Sequence, residues 1–150
     1  MGPLLFFTIE PEASGSPLGG GTQEAVSFDT WLGDDVVRAF PALMVTTPVK
    51  QALDELPRAT GFSCLRARVR ASPFFRKHSP GKRLPVFWTV QARGQAGRDD
   101  IGLTAAGVVV ISPRVLDVLM RFRIGRAVMM QYVPGEPEPG RAVRSARRAR

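Results

Sequence analysis

Cysteine and histidine are almost missing from these 150 residues, which hold one of each, Cys64 and His78. A single cysteine excludes a disulfide framework, and one cysteine with one histidine excludes a zinc knuckle or a histidine-cluster metal centre. No apolar run approaches the roughly 20 residues that a membrane-spanning helix needs. Residues 1–9 are apolar but lack a basic segment, and Glu10 and Pro11 interrupt them, so no export signal is expected. Gly2 is present, but Phe6 stands where a myristoylation motif requires Ser or Thr. Phosphate-loop, dinucleotide-binding and nucleophile-elbow patterns do not occur. No catalytic residue, cofactor or metal is therefore expected, and the expected residence is a reducing cytoplasm.

What remains is ordinary in bulk and uneven in charge. Apolar residues make up 44% and charged residues 23%, which fits one globular domain able to hide about two-thirds of its unfolded surface. Bases number 21 against 13 acids, a net of +8. Lysine occurs three times, at 50, 77 and 82, so arginine supplies 18 of the 21. Residues 1–60 hold eight acids and three bases, while residues 61–133 hold three acids and thirteen bases. The last stretch, 134–150, adds five bases to two acids. Such a gradient predicts one acidic and one basic face on a single domain.

The patterning divides the chain into an N-terminal strand and Gly/Ser-rich loop (1–27), an α+β domain (28–133) and a basic tail (134–150) expected to be disordered. Residues 3–9 read as a strand and 11–22 as a loop or linker. Val36, Val37 and Phe40 behind Asp34-Asp35 predict a short helix stopped by Pro41. Residues 43–46 read as a strand. Thr47-Pro48 then caps a helix carrying Val49, Ala52, Leu53 and Leu56, with its exit at Gly61. Strands are expected at about 63–70, 85–93, 107–111 and 126–133. Residues 71–84 read as an irregular basic loop. Ser112-Pro113 opens a helix on which Asp117 and Arg121 form an i, i+4 ion pair, with Gly125 at its end. The fold class expected is α+β, a mixed, mostly antiparallel sheet of five or six strands with two main helices.

Two features carry binding chemistry. In the strand at 63–70, Leu65, Ala67 and Val69 alternate with Arg66, Arg68 and Arg70. Three guanidiniums along about 13 Å of strand suit carboxylates or phosphates, and they equally suit a solvated or guarded sheet edge. The loop beyond sets Phe74 and Phe75 among Arg76, Lys77, His78, Lys82 and Arg83. Aromatics among bases can stack on and neutralise nucleic acid, or the two rings can pin the loop to the core while the bases face water. The Gly94-Gln95-Ala96-Gly97 run reads as a turn, and Asp99-Asp100 as a turn or cap. Cys64 and His78 carry no nucleophile signature, and Cys64 reads as a small core residue.

A longer pattern runs through the middle of the chain. It comprises Trp31 with Gly33-Asp34-Asp35, Phe40-Pro41, "LMVTTPVKQALDE", Thr60-Gly61-Phe62, "LPVFWTVQARGQAGRDDIGLT", "VVVISPRVLDVLMRF" and "AVMMQYV". Over about residues 28–133 this order resembles immunity-protein family eleven of bacterial polymorphic toxin systems, which overlaps a domain of unknown function common in myxobacteria. The resemblance implies a non-enzymatic protein that binds and neutralises a cognate toxin. Related myxobacterial immunity proteins carry paired Cys-x-x-Cys-Gly motifs, and this chain, with Cys64 alone, has none. Its basic middle would suit an acidic toxin surface, with Arg66, Arg68, Arg70, Phe74, Phe75, Arg76, Lys77, Lys82 and Arg83 as the contact residues. A nucleic-acid-binding module using the same face is the alternative.

Overall fold

The structure, a computed structural model, describes residues 5–18, 25–39 and 42–135. Its first strands run on from one another while changing partners: β1 (Phe6–Glu10), β2 (Glu12–Ala13) and β3 (Gly15–Pro17) each lie in a different sheet. Then follow β4 (Ala25–Phe28), β5 (Val36–Ala39), β6 (Ala42–Thr46), α1 (Thr47–Asp54), β7 (Phe62–Arg66), β8 (Arg68–Ala71) and α2 (Pro73–His78). The remainder is β9 (Phe87–Ala92), β10 (Gly94–Gln95), β11 (Ile101–Leu103), β12 (Val109–Ile111), α3 (Pro113–Leu119) and β13 (Val128–Tyr132). The class is α+β. The strands form three sheets, ordered β10-β11-β12-β1-β13, β2-β5-β6-β9-β7 and β3-β4-β8, rather than one sheet of five or six. Seven of the ten strand pairings are antiparallel, so the sheets are mixed and mostly antiparallel.

The β2-to-β7 sheet is the middle layer because β5, β6 and β9 bury apolar side chains on both faces. Leu43 and Val45 of β6 point into one core, Ala42 and Met44 into another, as a period of two requires. The first core joins this sheet to the β1 sheet through Ile9, Ile101 and Ile111, with Val49 and Leu53 of α1 and Val115 and Val118 of α3. The second joins it to the β3-β4-β8 sheet through Val26, Phe28 and Phe87, with Phe75 of α2. Phe28 and Phe87 lie 4.9 Å apart, centroid to centroid.

Several expectations are corrected here. Residues 36–39 are a strand and not a helix, since Val36 and Val37 are buried on opposite faces, which one helix stripe cannot accomplish. Residues 12–13 and 15–17 of the expected linker are strands, and 71–84 contains α2. Helix α1 is capped at Thr46, whose hydroxyl is occupied by Asp35, and it ends at Asp54, well before Gly61. Helix α3 stops at Leu119, so Arg121 falls outside it and pairs with no carboxylate among the described residues. Pro41 and the tail from 136 lie outside the described residues. No helix among the described residues is long and apolar enough to cross a membrane.

Candidate functional site

Residues 62–71 form one extended run shared between two sheets. Up to Arg66 it pairs with β9; at Ala67 the backbone amide still bonds Phe87, and from Arg68 it pairs with β4 in parallel. Side-chain alternation continues across the junction, so Ala67, Val69 and Ala71 face the second core. Arg66, Arg68 and Arg70 turn the other way and are exposed. The expected row therefore exists. Leu65, on the face opposite the arginines, is 46% exposed, because β7 is the outermost strand of its sheet.

Ser72-Pro73 then opens α2. The Ser72 hydroxyl accepts from the Phe75 amide at 3.1 Å, and proline occupies the first turn, where no amide is missed. The helix separates two rings that the sequence left together. Phe75 is 1% exposed in the second core, which removes it from the contact residues, while Phe74 is 52% exposed. Phe74 stacks on His78 one turn later, at 4.1 Å between centroids. Arg76 and Lys77 are exposed beside them.

Lys82 is already engaged. Its ammonium donates to the Trp31 carbonyl at 2.6 Å and sits 5.8 Å from the Trp31 ring centroid, tying the segment after α2 to the loop before β5. Arg83 stays exposed. Among the described residues the ion pairs are Lys50–Asp54 and Arg114–Asp100. Arg66, Arg68, Arg70, Arg76, Lys77 and Arg83 therefore present charge that no carboxylate of the described chain neutralises.

A second group of polar residues lies elsewhere and builds a knot. The carboxylate of Asp100 accepts from the Thr60 amide, the Ser112 hydroxyl and the Nε and Nη2 of the Arg114 guanidinium, at 2.8–3.0 Å. The Arg114 guanidinium is the main cause that lowers the carboxyl of Asp100 to about 2. Gly61, at φ +87°, and Gly94 pass so close to the Ile101 carbonyl that a Cβ on either would overlap it. Asp99 closes the neighbouring turn through the Gln95 amide, at 2.6 Å. Asp34 and Asp35 cap the amides of Arg126 and Arg123, at 3.0 and 2.9 Å. These acids position backbone, as turn and cap residues do.

Cys64 and His78 are not brought together. Cys64 packs into the first core, whereas His78 sits on α2, whose anchor lies in the second core across the middle sheet. Burial, reinforced by Asp54, pushes the Cys64 thiol up to about 11. Glu12, which the sequence did not single out, has both carboxylate oxygens buried, facing the Leu32 backbone. Burial first, and then the charge of Asp34, raises its pKa. No protein-family model, curated protein or solved structure matches the chain.

Proposed function

We propose that this is a non-enzymatic, immunity-type protein that binds and neutralises a cognate toxin, taking an acidic surface of that toxin on the face made by Arg66, Arg68, Arg70 and α2. The observation that carries the reading is the set of exposed bases without carboxylate partners among the described residues, held on a shared strand and an anchored helix around the exposed ring of Phe74. Arginine forks in fixed register recognise carboxylates two-point, and an adjoining aromatic supplies the apolar contact that interface centres use. The resemblance over residues 28–133 supplies the toxin as partner. Cytoplasmic residence goes with the same reading.

The rival reading, a nucleic-acid module, draws on Phe74 as a stacking platform among bases. In this structure His78 already stacks against that ring. Titration calorimetry separates the two. The protein is titrated with the product of the neighbouring reading frame, expected on this reading to carry a toxin domain, and separately with generic single-stranded RNA, at several salt concentrations. The expected result is toxin binding that the Arg66→Ala, Arg68→Ala, Arg70→Ala triple variant weakens at least about tenfold, with a shallower salt dependence. Unchanged affinity and unchanged salt dependence in that variant would remove the basic face as the interface. Tight RNA binding falling steeply with salt would favour the rival.

A further inference from the structure

The β3-β4-β8 sheet is an outer layer, and its two faces differ in kind. Val26, Phe28, Val69 and Ala71 turn inward to the second core. The alternate positions therefore turn outward, away from it. The register fixes which of them are neighbours: Arg68 lies beside Ala25, Arg70 beside Ser27, and Ser27 beside Ser16 of β3. Arg66 continues the row beyond Ala67. The three arginines and Ser16 are exposed, and Ala25 and Ser27 are half-buried.

Within the three strands, the outward positions beside the arginines are small. Neighbouring strands lie about 5 Å apart and alternate residues of one strand about 7 Å apart. The guanidiniums of Arg68 and Arg70 therefore reach across ground held only by Ala25, Ser27 and Ser16. The two serine hydroxyls have no hydrogen-bond partner among the described residues, and neither arginine has an ion-pair partner there. Asp29, one residue past β4, pairs with neither. Guanidinium and hydroxyl groups both donate to an anion's oxygens, so the face sets two ranks of donors side by side. We propose that this outer face is the centre of the partner interface, where side-chain carboxylates of an acidic protein segment settle between arginine and serine.

Charge calls for an anionic occupant, and the rest of the face selects protein over nucleic acid. Sheet faces that take nucleic acid stack its bases on aromatic rings. No ring occupies an outward position of β3, β4 or β8. Phe74 belongs to α2, whose anchor lies in the second core behind this sheet, and His78 already stacks on it. A row of arginines beside small residues instead admits a partner main chain closely enough for short acidic side chains to reach both ranks of donors. On the toxin reading, on which the partner's identity rests, that segment belongs to the toxin. Ser16 and Ser27 then become contact residues that net charge does not single out.

The probe is a peptide of ten glutamates, titrated calorimetrically into the full chain, with a ten-nucleotide RNA in a parallel series. The peptide is expected to bind, and Ser16→Ala with Ser27→Ala to weaken it about threefold or more. Ser27→Glu, which sets an acid beside Arg70, is expected to weaken it at least about tenfold. Ala105→Glu adds the same charge on the exposed turn between β11 and β12, in another sheet, and is expected to change the affinity less than about twofold. Near-ultraviolet circular dichroism confirms that each variant is folded. Equal losses in Ser27→Glu and Ala105→Glu would reduce the binding to net charge and overturn the proposal. So would a serine pair removed without effect, a peptide that does not bind, or RNA bound more tightly than the peptide. The product of the neighbouring reading frame keeps the two readings apart. If the arginine triple variant loses it and Ser27→Glu does not, the toxin reading stands and this face falls. If wild type does not bind it while the peptide results hold, the face takes acidic protein and the toxin reading falls.

Discussion

Asp100 accepts hydrogen bonds from the loop before β7, from the cap of α3 and from Arg114 within α3. Its carboxyl titrates at about 2 against an ordinary 3.8. Because the folded value is the lower one, the stabilisation is complete above about pH 4 and is lost as pH falls through about 2. A depression of that size corresponds to about 2 kcal/mol. Urea unfolding is therefore expected to show wild type losing about 2 kcal/mol more than Asp100→Asn between about pH 5 and pH 2. Parallel losses would mean that Asp100 does not carry the acid sensitivity. Cys64 makes the opposite case, a thiol pushed up to about 11 by burial. Two units above its ordinary value leave about a hundredfold less thiolate, so a disulfide reagent at neutral pH is expected to label folded protein about a hundredfold more slowly than protein unfolded in urea. Equal rates would show the sulfur to be open to solvent.

Helix α2 is six residues long and has no intrinsic stability of its own, so its position depends on one ring in the second core. Phe75→Ala is expected to cost about 3–4 kcal/mol in denaturant unfolding, and Phe74→Ala less than about 1 kcal/mol, since only the first empties a packed site. Equal costs would contradict the inward and outward assignment of the two rings. The difference between these neighbours was not legible in the sequence. Within 74–83 the bases mask any apolar period, and the two phenylalanines read alike until the helix sets their directions. Ser72-Pro73 carries the same start chemistry as Ser112-Pro113 at α3, a signal passed over when 71–84 is read as an irregular loop. The arginine row was legible because a period of two survives the switch of sheets at Ala67. β5 was not, because Val36 and Val37 serve two cores at once, and a pattern made by burial on both faces imitates a helix stripe. β2 and β3 hide in a Gly/Ser/Pro-rich stretch because their ladders are to residues far along the chain and not to near neighbours.

The whole molecule is organised by a middle sheet whose two faces seed both cores. Because the same strands, β5, β6 and β9, line each core, neither can be lost while the other keeps its wall. Val115→Ala in the first core and Phe28→Ala in the second are therefore expected to lower one shared unfolding midpoint. Far- and near-ultraviolet circular dichroism should still coincide in each variant. Separate transitions for the two variants would show two independently melting layers. The place of β1 has a further consequence, and it concerns time. β1 is held between β12 and β13, so residues 6–10 wait for residues 109–132 before either side of the strand is paired. At roughly 5–20 residues per second, synthesis leaves Phe6, Phe7 and Ile9 without strand partners for about ten seconds on the ribosome. The first apolar segment to emerge is among the last to find its place, and throughout that interval it is a natural substrate for a chaperone that holds extended apolar chain.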